Sequence, residues 1–435
     1  MIIERKYYLE RLIECRHDGY VKIITGIRRC GKSFLLNTLF RQHLLSCRVH
    51  PGNIITIELD RLEQEELRDP RKLSAYIHQS IKSPRSRYYI FIDEIQMCEE
   101  VHSSIEGSST KITFYDVLNG LLKMPNLDIY VTGSNSRMLS DDVATHFRDR
   151  GKIIRLYPLS FSEYYPVSGL SERQALEKYM LYGGMPEAIL SANDMARRRY
   201  LAGLFQPLYL RDIVERNNLK DDVLLGYIVD VLMSSIGSLT NLTNLVNTLK
   251  STQKIESNVN TVKSYITYLQ QAYIFEKVER YDVKGRKYLS YPSKYYVEDV
   301  GLRNARLNYR QTEYTHLMEN VIYNELISRG AQVDVGVVEI ETRKAGVREK
   351  GQHEIDFVVN MGLEKLYIQS AWDISSDAKR EQETLSLRHT KDSFRKLVVT
   401  AFDQPFYTDD NGISYVGIIN FLLDKSILDS LCRNC

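Results

Sequence analysis

Gly26-Ile27-Arg28-Arg29-Cys30-Gly31-Lys32-Ser33 sets two glycines five residues apart and ends in Lys-Ser. Each fixed residue has a physical task if the ligand is a chain of phosphates. The glycines let the backbone turn back and aim successive N–H groups at phosphate oxygens. A helix starting near Lys32 adds the positive end of its dipole. The Lys32 ammonium then sits on the β and γ phosphates, and the Ser33 hydroxyl completes a Mg²⁺ shell. Residues 26–33 with Phe34 form the nucleotide-contacting set. A second group follows in residues 88–94, YYIFIDE. There an apolar strand delivers Asp93 at its end, where it can hold Mg²⁺ through water, and Glu94 can polarise the attacking water. Ser33 and Asp93 are expected to share the metal across two neighbouring strands. In residues 131–136, VTGSNS, either Ser134 or Asn135 could orient that water or sense the γ-phosphate. The sequence does not choose between them.

These groups need a scaffold that brings strand ends together. Residues 20–25 (YVKIIT) read as a strand directly before the loop, and 33–45 as a helix directly after it. Further strands are expected at 53–59, 88–92, 127–132 and 153–156, with a helix at 71–81 between them. Strands alternating with helices imply a parallel sheet covered on both faces, with ligands beyond the carboxyl ends of the strands. The polar stretch 99–109 is expected to be a surface loop. After Pro158 the periodicity becomes helical to about residue 217. Three helical stretches (223–236, 241–250, 258–272) then precede a strand at 274–281, a Gly-containing turn, and a partner strand near 295–298. The tail alternates a helix at 316–328, strands at 333–341, 354–359 and 366–370, a helix at 378–387 and a strand at 396–400.

The chain has 435 residues, 43% of them apolar and 26% charged, with 58 Lys plus Arg against 56 Asp plus Glu. Those are the proportions of a globular protein of several domains, and a net charge of +2 argues against a general polyanion binder. The charged start MIIERKYYLE lacks the apolar core of a secretory leader. No apolar run approaches the roughly 18 residues that span a bilayer. The six Cys are irregularly spaced and do not read as a disulfide framework. A cytoplasmic location is the expectation.

Taken in order, GIRRCGKS, FIDEIQ, TGSNS, YPLSFSEY, YGGMPEAI, KYYVEDVGLRNA and EIDFV resemble the AAA+ division of P-loop ATPases. They look most like prokaryotic proteins that join an AAA domain to a C-terminal domain of unknown function. The resemblance implies an α/β P-loop NTPase sheet at 1–157 and a helical lid at 158–220. A winged-helix domain at 221–304 and a restriction-endonuclease-like α/β domain at 305–435 would follow. It implies ATP and Mg²⁺ as cofactors, with hydrolysis driving or gating a conformational change. A slow nucleotide switch and a DNA-associated repair or defence ATPase are the alternatives. The polar residue after the fourth strand, Ser134 or Asn135, corresponds to a nucleotide sensor. The Gly-Gly-Met-Pro stretch at 183–186 resembles an element that packs on adenine, which would bring in Pro186. Arg148 or Arg150 could reach a neighbouring copy's site in a homo-oligomer, although a helix end attracts Arg in any case.

The tail's resemblance carries its own test. A nuclease of this fold needs a carboxylate on the first helix, an Asp on a strand and Glu-x-Lys on the next strand, holding one or two Mg²⁺. Glu319 and Asp356 can fill the first two places, but Gln369 replaces the acid and Ala371 the lysine. A degenerate core without nuclease activity is expected. DNA contact through the winged helix would use Lys263, Lys284, Arg286 and Lys287. Cys432 and Cys435 form a lone C-x-x-C without a second ligand pair for zinc.

Overall fold

Five short runs rich in β-branched and aromatic residues build the first sheet: β1 (Val21–Thr25), β2 (Ile54–Glu58), β3 (Tyr88–Asp93), β4 (Leu127–Gly133) and β5 (Gly151–Arg155). The computed structural model describes residues 2–102, 110–134, 150–344, 347–361 and 364–432. They divide into two compact units, Met1–Pro158 with Gln271–Tyr273, and Leu159–Gln270 with Ile274–Cys435.

In the first unit all five strands of this sheet are parallel, in the order β2-β3-β4-β1-β5. Every residue of β1 and β3 is buried, as helices on both faces require. On one face Ile23, Ile57, Ile90 and Ile129 pack with Leu73 and Ile77 of helix Pro70–Ser80 and with Leu118 of helix Phe114–Leu121. On the other, Phe40, Phe91 and Tyr130 meet with ring centroids 4.8 to 5.8 Å apart. The helix after the loop runs as α over Lys32–Phe34, widens into a π turn over Leu35–Phe40, and returns to α over Arg41–Ser46. Such widened turns occur often at functional sites.

The strand order corrects one expectation. Strand β1, which feeds the loop, and β3, which delivers Asp93, are not neighbours. Strand β4 lies between them, pairing Val21 with Ile129 on one side and Tyr88 with Leu127 on the other. Which strands pair is a non-local choice that spacing along the chain does not encode. At the far end of β1 the buried Lys22 binds Asp128 of β4 and lies 2.9 Å from Asp18, which ties the two strands in register. Of the expected surface loop, residues 103–109 lie outside the described residues. Val101–His102 pairs with Lys111–Ile112 across the stretch.

The second unit carries the helices Glu172–Tyr182, Asp222–Ser234, Leu242–Gln253 and Val259–Gln271, and a mixed sheet of eight strands. These are β6 (Phe275–Asp282), β7 (Lys287–Val297), β8 (Gln332–Lys344), β9 (Val347–Met361), β10 (Glu364–Ala371), β11 (Arg395–Thr400), β12 (Tyr407–Thr408) and β13 (Ile413–Gly417), in the order β12-β13-β11-β10-β9-β8-β6-β7. The hairpin expected as a wing, β6–β7, therefore also forms the edge of the tail's sheet, through parallel pairing of β6 with β8. The described helices include none long and apolar enough to cross a membrane.

A clasp joins the GGMP run to the VEDVG run. Asp299, 2% exposed, accepts hydrogen bonds from the backbone N–H groups of Gly184 at 2.6 Å and Leu302 at 3.0 Å. A Cβ on Gly184 would lie 2.1 Å from the Leu159 carbonyl oxygen, so no larger residue fits. Burial pushes the Asp299 carboxyl up to about 6, against the opposing pull of its backbone donors. Replacing Asp299 by Ala strands two buried N–H groups and should cost on the order of 2–5 kcal/mol in urea unfolding. Asp299→Asn should cost less. Because the folded acid holds its proton to higher pH than the unfolded one, the stability of wild type relative to Asp299→Asn should fall as pH rises from about 4 to about 6.

Candidate functional site

The loop begins where β1 ends. Gly26 has φ 146°, and a Cβ there would lie 2.0 Å from the Leu156 carbonyl oxygen. Arg29 at φ 68° and Gly31 at φ 105° complete the reversal. The side chains of Ile27 and Cys30 are fully buried and anchor the loop from behind, with the Cys30 thiol donating to the Leu156 carbonyl at 3.4 Å. Arg5 braces the same wall by donating to the carbonyls of Cys30 at 3.4 Å and Tyr157 at 2.8 Å. Arg28 is half-buried, whereas Arg29 and Phe34 are exposed. The Lys32 ammonium is curled inside, donating to the carbonyls of Gly26 at 3.0 Å and Ile27 at 3.1 Å.

Ser33 and Asp93 come together. The Ser33 hydroxyl lies near enough to the Asp93 carboxylate to oppose the rise in its pKa, and Thr132 of the intervening β4 donates to the same carboxylate. Burial raises the Asp93 pKa, the Thr132 and Ser33 hydroxyls oppose that rise, and the negative charges of Glu94 and Asp60 add to it. A buried acid beside hydroxyls and other acids gains most from a cation. A hydroxyl and a carboxylate brought together, next in the chain to Lys32 and the glycine turn, are oxygen donors of the kind Mg²⁺ takes with a nucleotide triphosphate.

Glu94 follows in the left-handed region at φ 53°, an uncommon conformation for a residue with a side chain. Its backbone N–H donates to the Thr132 hydroxyl at 3.0 Å. Its carboxylate accepts from the Gln96 amide and from the Ser134 hydroxyl at 3.4 Å, and Gln96 also donates to Ser134 at 3.2 Å. Of the two sensor candidates, Ser134 is buried within this network, and Asn135 lies outside the described residues.

Sequence reasoning overlooked Thr132 and Gln96. Both sit inside runs already singled out, VTGSNS and FIDEIQ, and the signal was a polar side chain one strand residue before a glycine and another two residues past the acid pair. Arg148 lies outside the described residues. Arg150 is exposed at the amino end of β5, where its carbonyl accepts from Val21 N–H. That is one strand length, roughly 16 Å, from the loop of its own chain. Pro186 opens helix Pro186–Leu190 in the second unit, beside the Asp299 clasp. In that unit Glu319 and Asp356 are drawn to one centre. Lys263, Lys284, Arg286 and Lys287 are exposed, and the Lys284 ammonium donates to the Glu339 carbonyl.

Residues 18–165 match a family model described as an AAA domain, and residues 173–313 match one described as a domain of unknown function. An uncharacterised protein of Haemophilus influenzae is 30% identical over 429 residues, covering 97% of this chain and 99% of its own. Another, from Methanocaldococcus jannaschii, is 25% identical over 379 residues, covering 83% and 77%. Among solved structures, a Walker-type ATPase of Pyrococcus abyssi aligns with 70% of this chain and 96% of its own at 15% identity and a TM-score of 0.47. The ORC1 protein of Aeropyrum pernix, solved in complex with DNA, aligns with 71% and 93% at 13% identity and a TM-score of 0.29. Likeness at those TM-scores carries no functional argument. The family model over the loop-bearing sheet and the end-to-end match to the Haemophilus protein lead to one conclusion: the chain belongs to the AAA-type P-loop ATPases that carry a C-terminal domain of unknown function.

Proposed function

We propose that the first unit binds ATP with Mg²⁺ and hydrolyses it, and that the nucleotide state gates a conformational change. The observation that supports this most is the Ser33 hydroxyl brought beside the buried Asp93 carboxylate across an intervening strand. In this reading the N–H groups of residues 26–33 and the Lys32 ammonium hold the phosphates, while Ser33 and Asp93 hold the cation. Mg²⁺, when bound, neutralises charge between the β- and γ-phosphates. Glu94 takes a proton from the attacking water, and Gln96 and Ser134 fix the direction of its carboxylate. Lys32→Ala should abolish binding of a fluorescent ATP analogue. Glu94→Gln should keep that binding and slow single-turnover hydrolysis by roughly 10²–10⁴-fold. A wild-type rate no faster than that of Glu94→Gln would replace the hydrolase with a nucleotide-dependent switch.

Thr132 is a positioning residue in this proposal, because it bonds both Asp93 and the Glu94 backbone. Thr132→Val should raise the Mg²⁺ concentration for half-maximal hydrolysis by about tenfold or more, as loss of such supporting partners does at metal sites. Nucleotide binding in EDTA should be unchanged.

A second reading, binding of a nucleic-acid backbone, is favoured by the three exposed cations Lys284, Arg286 and Lys287 at one hairpin turn. Neutralising all three should weaken duplex binding uniformly across sequences. The slope of log affinity against log salt should become shallower by roughly 0.9 for each charge removed. An unchanged slope in a fluorescence-anisotropy titration would remove this reading.

A further inference from the structure

Helix Tyr314–Ser328 and strand β9 bring three carboxylates, Glu319, Glu354 and Asp356, to one buried centre of the second unit. At that centre lies a side chain that the tail's own sequence did not announce. Lys294, from β7, places its ammonium 2.7 Å from Glu319 Oε1, 2.5 Å from Glu354 Oε1 and 3.7 Å from Asp356 Oδ1, with its side chain 3% exposed. Tyr296, also from β7, donates to Glu319 at 2.6 Å. Asp356 accepts from the Ser370 N–H at 2.8 Å, and its own N–H donates to Gln369 Oε1 at 3.4 Å.

A nuclease of this fold would hold one or two divalent cations here, and these residues do not fit one. A metal within carboxylate-bonding range, about 2.0–2.6 Å, of all three acids would have to occupy the ground already taken by the ammonium. The two positive charges cannot coexist there, since their repulsion in a buried site is large. Gln369 supplies no charge in place of the missing acid, and Ala371 is fully buried with nothing to offer an attacking hydroxide. Among the described residues no group of three or more His, Cys, Asp or Glu is disposed to hold a metal ion. Burial alone would depress the Lys294 pKa, but Glu319, Asp356 and Glu354 outweigh it and hold the ammonium firmly charged.

We propose that Lys294 is a tethered substitute for the divalent cation, so that this centre is closed to metals and serves the fold rather than phosphodiester cleavage. Glu354 belongs both to the cluster and to a cleft of about 190 Å³ lined with His353, Gln369, Gln382, Glu383 and Ser386, so ions in solution can reach the cluster's edge.

The test uses the full chain without nucleotide, in an Asp93→Asn background that removes the first unit's acid, with Mn²⁺ as the probe. With Lys294 present, electron paramagnetic resonance should show all Mn²⁺ free, and the melting temperature should not respond to it. Lys294→Ala should gain about one Mn²⁺ per chain, melt higher when Mn²⁺ is added, and lose both effects when Asp356→Asn is added. Lys294→Arg, which keeps a cation, should behave like the parent. Mn²⁺ binding that depends on Asp356 while Lys294 is intact would overturn the proposal, and this measurement does not require any Lys294 variant to fold. So would a folded Lys294→Ala that binds no Mn²⁺, or Mg²⁺-dependent DNA cleavage by the wild type that Asp356→Ala abolishes.

Discussion

One threonine hydroxyl holds the first unit's chemistry in register. Thr132 sits on β4, between the strand that feeds the phosphate loop and the strand that ends in Asp93. It donates to Asp93 and accepts from the backbone of Glu94, so a single side chain sets both the buried acid and the start of the left-handed turn behind it. Residues in that conformation cost roughly 1–3 kcal/mol and persist only where neighbours over-determine them. Here the neighbours are the Thr132 hydroxyl and the Gln96 amide, which together fix where the Glu94 carboxylate points.

The two units treat a buried carboxylate in opposite ways. In the first, Asp93 is buried beside hydroxyls and further acids, and its pKa is raised by that burial. A cation bound there would release that penalty. In the second, burial and mutual repulsion also raise the pKa of Glu354 and Asp356, but the three acids share a lysine that the chain itself supplies. That charge can neither dissociate nor exchange, so the centre has no reason to respond to metal. The contrast follows from which residue faces the acids, a hydroxyl in one unit and an ammonium in the other.

Local features were readable from the chain alone wherever backbone geometry is set by near neighbours. The glycines at 26 and 31, the strand before them and the helix after them specify a tight reversal of the backbone, and the apolar spacing that follows specifies where Lys32 and Ser33 stand. Asp93 and Glu94 were visible as acids at the end of an apolar run. The runs GGMP and VEDVG were visible too, but what joins them, the Asp299 carboxylate over two backbone amides, was not.

What the tertiary structure alone decided is the set of partners that lie far apart in the chain. Strand order placed β4 between β1 and β3, and so recruited Thr132 and Ser134. The merging of β6 and β7 into the tail's sheet carried Lys294 to acids that follow it by 25 residues and more. Residue type and spacing determine a turn, because a turn is closed by a few torsions. A cluster across strands is closed by the packing of a whole sheet, and no short stretch of sequence contains that information.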